Sequence, residues 1–279
     1  MIYADYVRPG NLNDALHALA SGSFRVLAGG TDIYPSDSAT APKVSLLDIT
    51  GLSDLTGISL QDQVWRIGAT TTWSTLARAE LPPQLSGLQA AAREVGGIQI
   101  QNTGTVAGNI CNASPAADGV PVLLSLDAEV ELASVRGIRR IPLQQFLMGS
   151  RKTARNPDEL VTALVIPHRP NARSAFFKLG HRRYLVISIV MAAAVVEIER
   201  GVLKHVALSV GACSAVAQRL TALERKLIGQ PANSALVDQI TPDDLLMLSP
   251  IDDVRGTAKY RVDAALTLVR RVIAEATHE

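Results

Sequence analysis

Cysteine is scarce: Cys111 and Cys213 are the only two in 279 residues, and no CxxC pairs them. Two thiols cannot supply the four ligands of an ordinary iron–sulfur cluster, so any such cluster must sit on another chain. Each cysteine reads as a small buried apolar residue in a reducing compartment. A surplus of positive charge is also missing. The 27 Lys plus Arg face 26 Asp plus Glu, leaving +1, which excludes a nucleic-acid partner that would require many neutralised phosphates. Long apolar runs are lacking too: the charge-free stretch from Tyr184 to Val196 is thirteen residues long, where a membrane-spanning helix needs about 20. Met1 to Asn13 carries Asp5 and Arg8 with no apolar segment of signal-peptide length, so a cytoplasmic protein with no membrane partner is expected. No GxSxG supports hydrolysis, and His17, His168, His181, His205 and His278 show no metal-ligand spacing. Neither a metal site nor a catalytic side chain is assigned.

What is present is enough apolar chain to fold. Hydrophobic residues make up 47% and charged residues 19%, a globular composition, and the length suits two domains at about 150 residues each. Asn11 can cap a helix with Asp14 in its first turn, Leu12, Ala15, Leu16 and Leu19 on one stripe and Gly22 at its end. A strand over 24–28 follows and stops at Gly29-Gly30. Further strands are expected over 44–47, 64–69, 129–133 and 160–166, with helices over 73–81 and 85–95. Pro167 and Pro170 then interrupt the pattern, which places a domain boundary between 169 and 170. Beyond it, β-runs over 174–179, 187–198 and 202–211 form a meander turning at Arg200-Gly201. Helices are expected over 218–228 and 234–246. The last helix carries Val262, Leu266, Val269, Val272, Ile273 and Ala276 at spacings of three and four. The fold class is α+β.

Two motifs carry chemistry. In VLAGGTDI, Val26 to Ile33, a strand ends on two glycines whose missing Cβ atoms let an anionic group approach the main chain, as a pyrophosphate requires. Thr31 adds a hydroxyl donor, and Asp32 fixes the turn or meets a ligand hydroxyl. A Gly-Gly turn also serves purely structural ends, and GGTD is neither a GxGxxG nor a P-loop. The second motif is GTVAGNICNASPAADGVP, Gly104 to Pro121. Small residues and the uncharged donors Thr105, Asn109, Asn112 and Ser114 suit a flat ligand lying close by, while Asp118 stands where it can cap an apolar helix over 122–126.

VLAGGTD, GTVAGNICNASPAAD and the later SPIDDVRGTAKYR together resemble the FAD-binding, or medium, subunit of the molybdenum hydroxylases, the group of xanthine dehydrogenases and carbon monoxide dehydrogenases. The resemblance runs from Tyr3 to Ile273. It implies an FAD-binding domain of the vanillyl-alcohol-oxidase (PCMH) type in two subdomains, residues 1–169, followed by a sheet-plus-helices domain of the CO dehydrogenase flavoprotein C-terminal type, residues 170–279. By the same resemblance Leu27, Ala28, Gly29, Gly30, Thr31 and Asp32 hold the FAD diphosphate. The segment from Thr105 through Gly108 and Asn109 to Asn112 contacts diphosphate and ribityl groups. Asp118, Ala69, Val161 and Lys178 lie near the cofactor. Tyr184 reads either as an aromatic that stacks on the ring or as a half-buried strand residue.

The implied chemistry is electron transfer. Substrate is oxidised at a molybdopterin centre on a large partner subunit, electrons cross two [2Fe–2S] clusters on a small one, and FAD passes them to NAD or another acceptor. A dimer of such heterotrimers is the implied assembly. FAD is expected to be non-covalent, because Thr31 stands where covalent flavoproteins of this fold often place a histidine. Leu185 and Val186 replace an acidic pair common in relatives, which weakens the case for NAD as oxidant. The alternatives are a stand-alone flavin oxidase of the same fold, or a binding protein that has lost FAD.

Overall fold

The structure, a computed structural model, describes residues 4–36, 44–183 and 185–278. Tyr184, read either as a ring-stacking aromatic or as a half-buried strand residue, lies outside them. Three strands, β1 (Tyr6–Val7), β2 (Phe24–Leu27) and β3 (Ser45–Asp48), form a parallel sheet in the order β1-β3-β2. An antiparallel sheet follows, ordered β4-β5-β10-β6-β7 and made of β4 (Ile58–Gln61), β5 (Val64–Gly68), β6 (Glu129–Ser134), β7 (Gly137–Pro142) and β10 (Leu160–Pro167). A small hairpin joins β8 (Leu147–Gly149) to β9 (Lys152–Thr153). The remaining sheet, β11-β12-β13-β14, contains β11 (Ala172–Leu179), β12 (Val190–Glu199), β13 (Val202–Gly211) and β14 (Gln218–Arg219).

Ten α-helical segments accompany these strands among the described residues: α1 (Leu12–Ser21), α2 (Ile33–Ser36), α3 (Trp73–Arg78), α4 (Ser86–Glu94), α5 (Ile98–Thr103), α6 (Val106–Asn112), α7 (Gly119–Ser125), α8 (Leu143–Phe146), α9 (Thr221–Leu227) and α10 (Ala258–Thr277). α1 starts as expected. The Asn11 side chain accepts from the Asp14 amide, and Ala15, Leu16 and Leu19 face a small core with Leu47, Ile49 and Leu55. The turn between β12 and β13 is also as expected, with Arg200 at φ 52° and Gly201 at φ 76°, the left-handed pair that matches strand twist.

The last sheet is covered on both faces. Alternation along β12 sends Met191, Ala193 and Val195 toward a core shared with α4 and α7, and Val190, Ala192, Ala194 and Val196 toward another under α9 and α10. α10 turns Ala265, Leu268, Val269, Val272, Ile273 and Ala276 inward. Each larger apolar side chain so buried contributes roughly 1.5–3 kcal/mol before ordering costs. Residues from both halves of the chain therefore share one core.

Local expectations fail at four places. Residues 234–246 form two 3-10 segments, Ser234–Gln239 and Pro242–Leu245, because Pro242 disfavours a helical Thr241 and a Thr241/Asp244 capping box starts a new turn. Gln218 and Arg219 pair with Val210 and Ser209 as a strand, and α9 begins only at Thr221. β12 begins at Val190 instead of Ile187. Asp118 precedes α7 but makes no side-chain cap, because its carboxylate is engaged by Lys178 and Ser188.

Candidate functional site

The glycine turn and the 104–112 segment pack directly on each other. A Cβ on Gly29 would sit 2.0 Å from the Thr103 carbonyl oxygen and 2.8 Å from the Gly104 Cα, so Gly29 is needed for the contact between the motifs. Gly30 has φ +70°, a left-handed conformation that other residues adopt only under strain. Its carbonyl accepts from the amides of Ile33 and Tyr34, closing the turn into α2.

The segment after β5 braces the other side. The Ala69 amide donates to Thr162, Trp73 to Gly104, and Val106 to Thr71, while Thr72 and Thr105 form a bridge. Thr105 caps α6 by accepting from the Gly108 amide at 2.9 Å. The Asn109 amide donates to the Thr105 carbonyl. These two amides are therefore engaged within the helix start, and the polar group that Asn109 leaves over is its side chain. Its Oδ1 is buried on the side of Gly119 with no hydrogen-bond partner, an arrangement that costs free energy.

Between these elements lies a cleft of about 640 Å³, within the range of cofactor pockets. Ala28, Gly29, Gly30, Thr31, Asp32, Ala69, Thr105, Gly108, Asn109, Asn112 and Val161 line it. Leu27, Asp118 and Lys178 do not. Leu27 is buried in β2, where its carbonyl accepts from Ile49. Lys178 and Asp118 pair at 2.7 Å, Ser188 donates to the same carboxylate at 2.5 Å, and Lys178 also donates to the Glu94 carbonyl. Burial raises the Asp118 carboxyl above its ordinary value, with Lys178 and then Ser188 pulling the other way. The pair holds α7 against β11. Gly119, next in the chain, packs on Asn109 and Trp73, so the pair supports the cleft from behind.

Sequence reasoning missed Arg25, Trp73, Ile100, Arg151 and Arg155, which also line the cleft, and expected Cys111 to be buried where it is exposed on the cleft wall. Only the basic run Ser150 to Arg155 carried a visible signal. Among the described residues, no group of three or more His, Cys, Asp or Glu is placed to hold a metal ion. Nor is any helix long and apolar enough to cross a membrane.

The cleft suits a dinucleotide. A bare glycine turn on one wall and an uncharged Thr/Asn helix start on the other fit a ligand rich in phosphate oxygens and hydroxyl groups. In an α+β frame this defines a protein that holds a dinucleotide cofactor. The chain belongs to the family of the FAD binding domain in molybdopterin dehydrogenase, whose profile matches residues 2–169; residues 175–276 match the CO dehydrogenase flavoprotein C-terminal domain. It is 31% identical over 280 residues to the xanthine dehydrogenase FAD-binding subunit of Escherichia coli, covering 98% of this chain and 96% of that one. It is 32% identical over 279 residues to the 6-hydroxypseudooxynicotine dehydrogenase complex subunit alpha of Paenarthrobacter nicotinovorans, covering 98% and 94%. Reconstituted CO dehydrogenase from Oligotropha carboxidovorans superposes with a TM-score of 0.92 at 27% identity, covering 99% of both chains. The protein is thus an FAD-binding chain of the oxidoreductase class.

Proposed function

We propose that this chain is the electron-transfer flavoprotein subunit of a molybdenum hydroxylase complex. Held in the cleft, FAD would supply redox chemistry between [2Fe–2S] clusters of a small partner subunit and NAD or another acceptor. The observation that carries the reading is the convergence of residues 28–32 and 105–112 on one cleft. Two cysteines in the whole chain agree with clusters housed elsewhere.

The chain's own residues bind and orient. The turn at Gly29–Asp32 and the side chains of Thr105, Asn109 and Asn112 hold the diphosphate and ribityl hydroxyls, Ala69 and Val161 form apolar wall, and Asp118 with Lys178 fixes the wall's support. Retention is non-covalent, supported by Thr31 at the position after the turn. The functional division falls between residues 169 and 170, with the large molybdopterin-binding and small iron–sulfur subunits as partners in a dimer of heterotrimers.

The test is turnover of the purified chain loaded with FAD on purines, aldehydes and N-heterocycles, alone and with partner subunits. Activity should be negligible alone and gained only with the partners. Robust oxidation by the lone chain would identify a stand-alone oxidase instead.

A further inference from the structure

The turn that receives a diphosphate carries a carboxylate of its own, Asp32, on the wall of the cleft. Two phosphates brought beside it meet a like charge, and backbone amides offer only partial compensation. A cation must balance the site. Three arginines line the cleft, Arg25 on β2, Arg151 and Arg155; Arg155 donates its Nη1 to the carbonyls of Asn156, Pro157 and Glu159, within its own loop.

Arg151 is differently placed. It sits between β8 and β9 with φ 59°, a left-handed backbone that non-glycine residues hold only when the surroundings enforce it. The hairpin turn itself requires it at this second loop position, and the Arg151 amide donates at 2.8 Å to the carbonyl of Ala113, just past α6. Its guanidinium donates to the carbonyl and side-chain oxygens of Asn112 and lies 3.9 Å from Asp32. Asn112 in turn donates to Asp32 at 2.6 Å. Three elements distant in sequence thus aim one guanidinium at the edge of the glycine turn.

We infer that Arg151 is the counter-charge of the cofactor's diphosphate, oriented for it by Asn112 and Asp32. The assignment rests on the FAD reading of the cleft and adds a residue to it. A planar guanidinium matches phosphate oxygens in fork geometry, and holding it beforehand reduces the ordering cost of binding.

The experiment titrates the apoprotein with FAD at low and high salt, with ADP as competitor. The variants are Arg151→Asn, which removes the charge but tolerates the left-handed backbone, and Arg151→Lys, which keeps the charge. Arg151→Asn should weaken FAD and ADP by about tenfold or more and flatten the salt dependence of FAD binding, because the screened attraction has gone. Arg151→Lys should recover part of the affinity and the salt dependence. Unchanged FAD affinity in folded Arg151→Asn overturns the assignment. So does a loss that leaves salt dependence intact and that Lys does not repair, the signature of a purely structural role. Failure of the wild-type chain to bind FAD would overturn the cofactor reading itself, a result distinct from either.

Discussion

Lys178 on β11 and Asp118 at the start of α7 meet 2.7 Å apart with only 5% and 9% of their side chains exposed. The contact ties the last sheet to the helix that backs the cofactor cleft. Removing one partner strands a charge in a place water does not reach. Lys178→Met should therefore cost about 3 kcal/mol or more in urea unfolding, while the double variant Asp118→Leu/Lys178→Met, which strands nothing, should cost less than Lys178→Met alone. Equal stability of Lys178→Met and the wild type would show the pair to be ornamental.

Gly29 tests whether the two motifs must touch. An alanine there places its Cβ 2.0 Å from the Thr103 carbonyl oxygen, and that neighbour is backbone, which cannot rotate away. Gly29→Ala should push the turn off the 103–104 segment, lowering the melting temperature and FAD affinity together. A variant that melts and binds like wild type would mean that the segments are less tightly joined than described.

Asp253 supplies a pH prediction. The Arg255 amide foremost, against a contribution from burial and aided by the Arg261 and Arg255 guanidinium groups, lowers its carboxyl from 3.8 to about 2. A carboxyl depressed by folding stabilises the native state above its unfolded value, and that stabilisation is lost as pH falls through the folded one. Asp253→Asn should melt lower than wild type at neutral pH, and the gap should narrow as pH is taken from about 4 to about 2. A gap that stays constant over that window contradicts the assignment. Arg261, 3% exposed, also donates to the carbonyls of Ile189 and Ala212, so this ion pair anchors the 250–257 loop to the sheet.

Much of this was legible in the sequence where the signal was local. The Asn11 cap, the glycine turn and the Arg200-Gly201 hairpin each depend on residues adjacent in the chain. The two cofactor motifs were legible as motifs, and their meeting in space followed from resemblance alone. What escaped was set by long-range contacts. Asp118 reads as a cap until Lys178, 60 positions away, arrives from another sheet. Arg151 has no pattern around it that points to Asp32, because only the hairpin's contact with Ala113 brings it there. The helix expected over 234–246 fails through Pro242, a signal that was present and outweighed by the apolar spacing around it.

The most direct measurement is the flavin stoichiometry and affinity of the isolated chain, set beside that of Gly30→Val. Gly30 adopts φ +70° in the turn, which a β-branched residue strongly disfavours. The account predicts one tightly held FAD per wild-type chain and a folded Gly30→Val that retains none. A folded wild-type chain that stays colourless with excess FAD, or a variant with undiminished flavin, would contradict it.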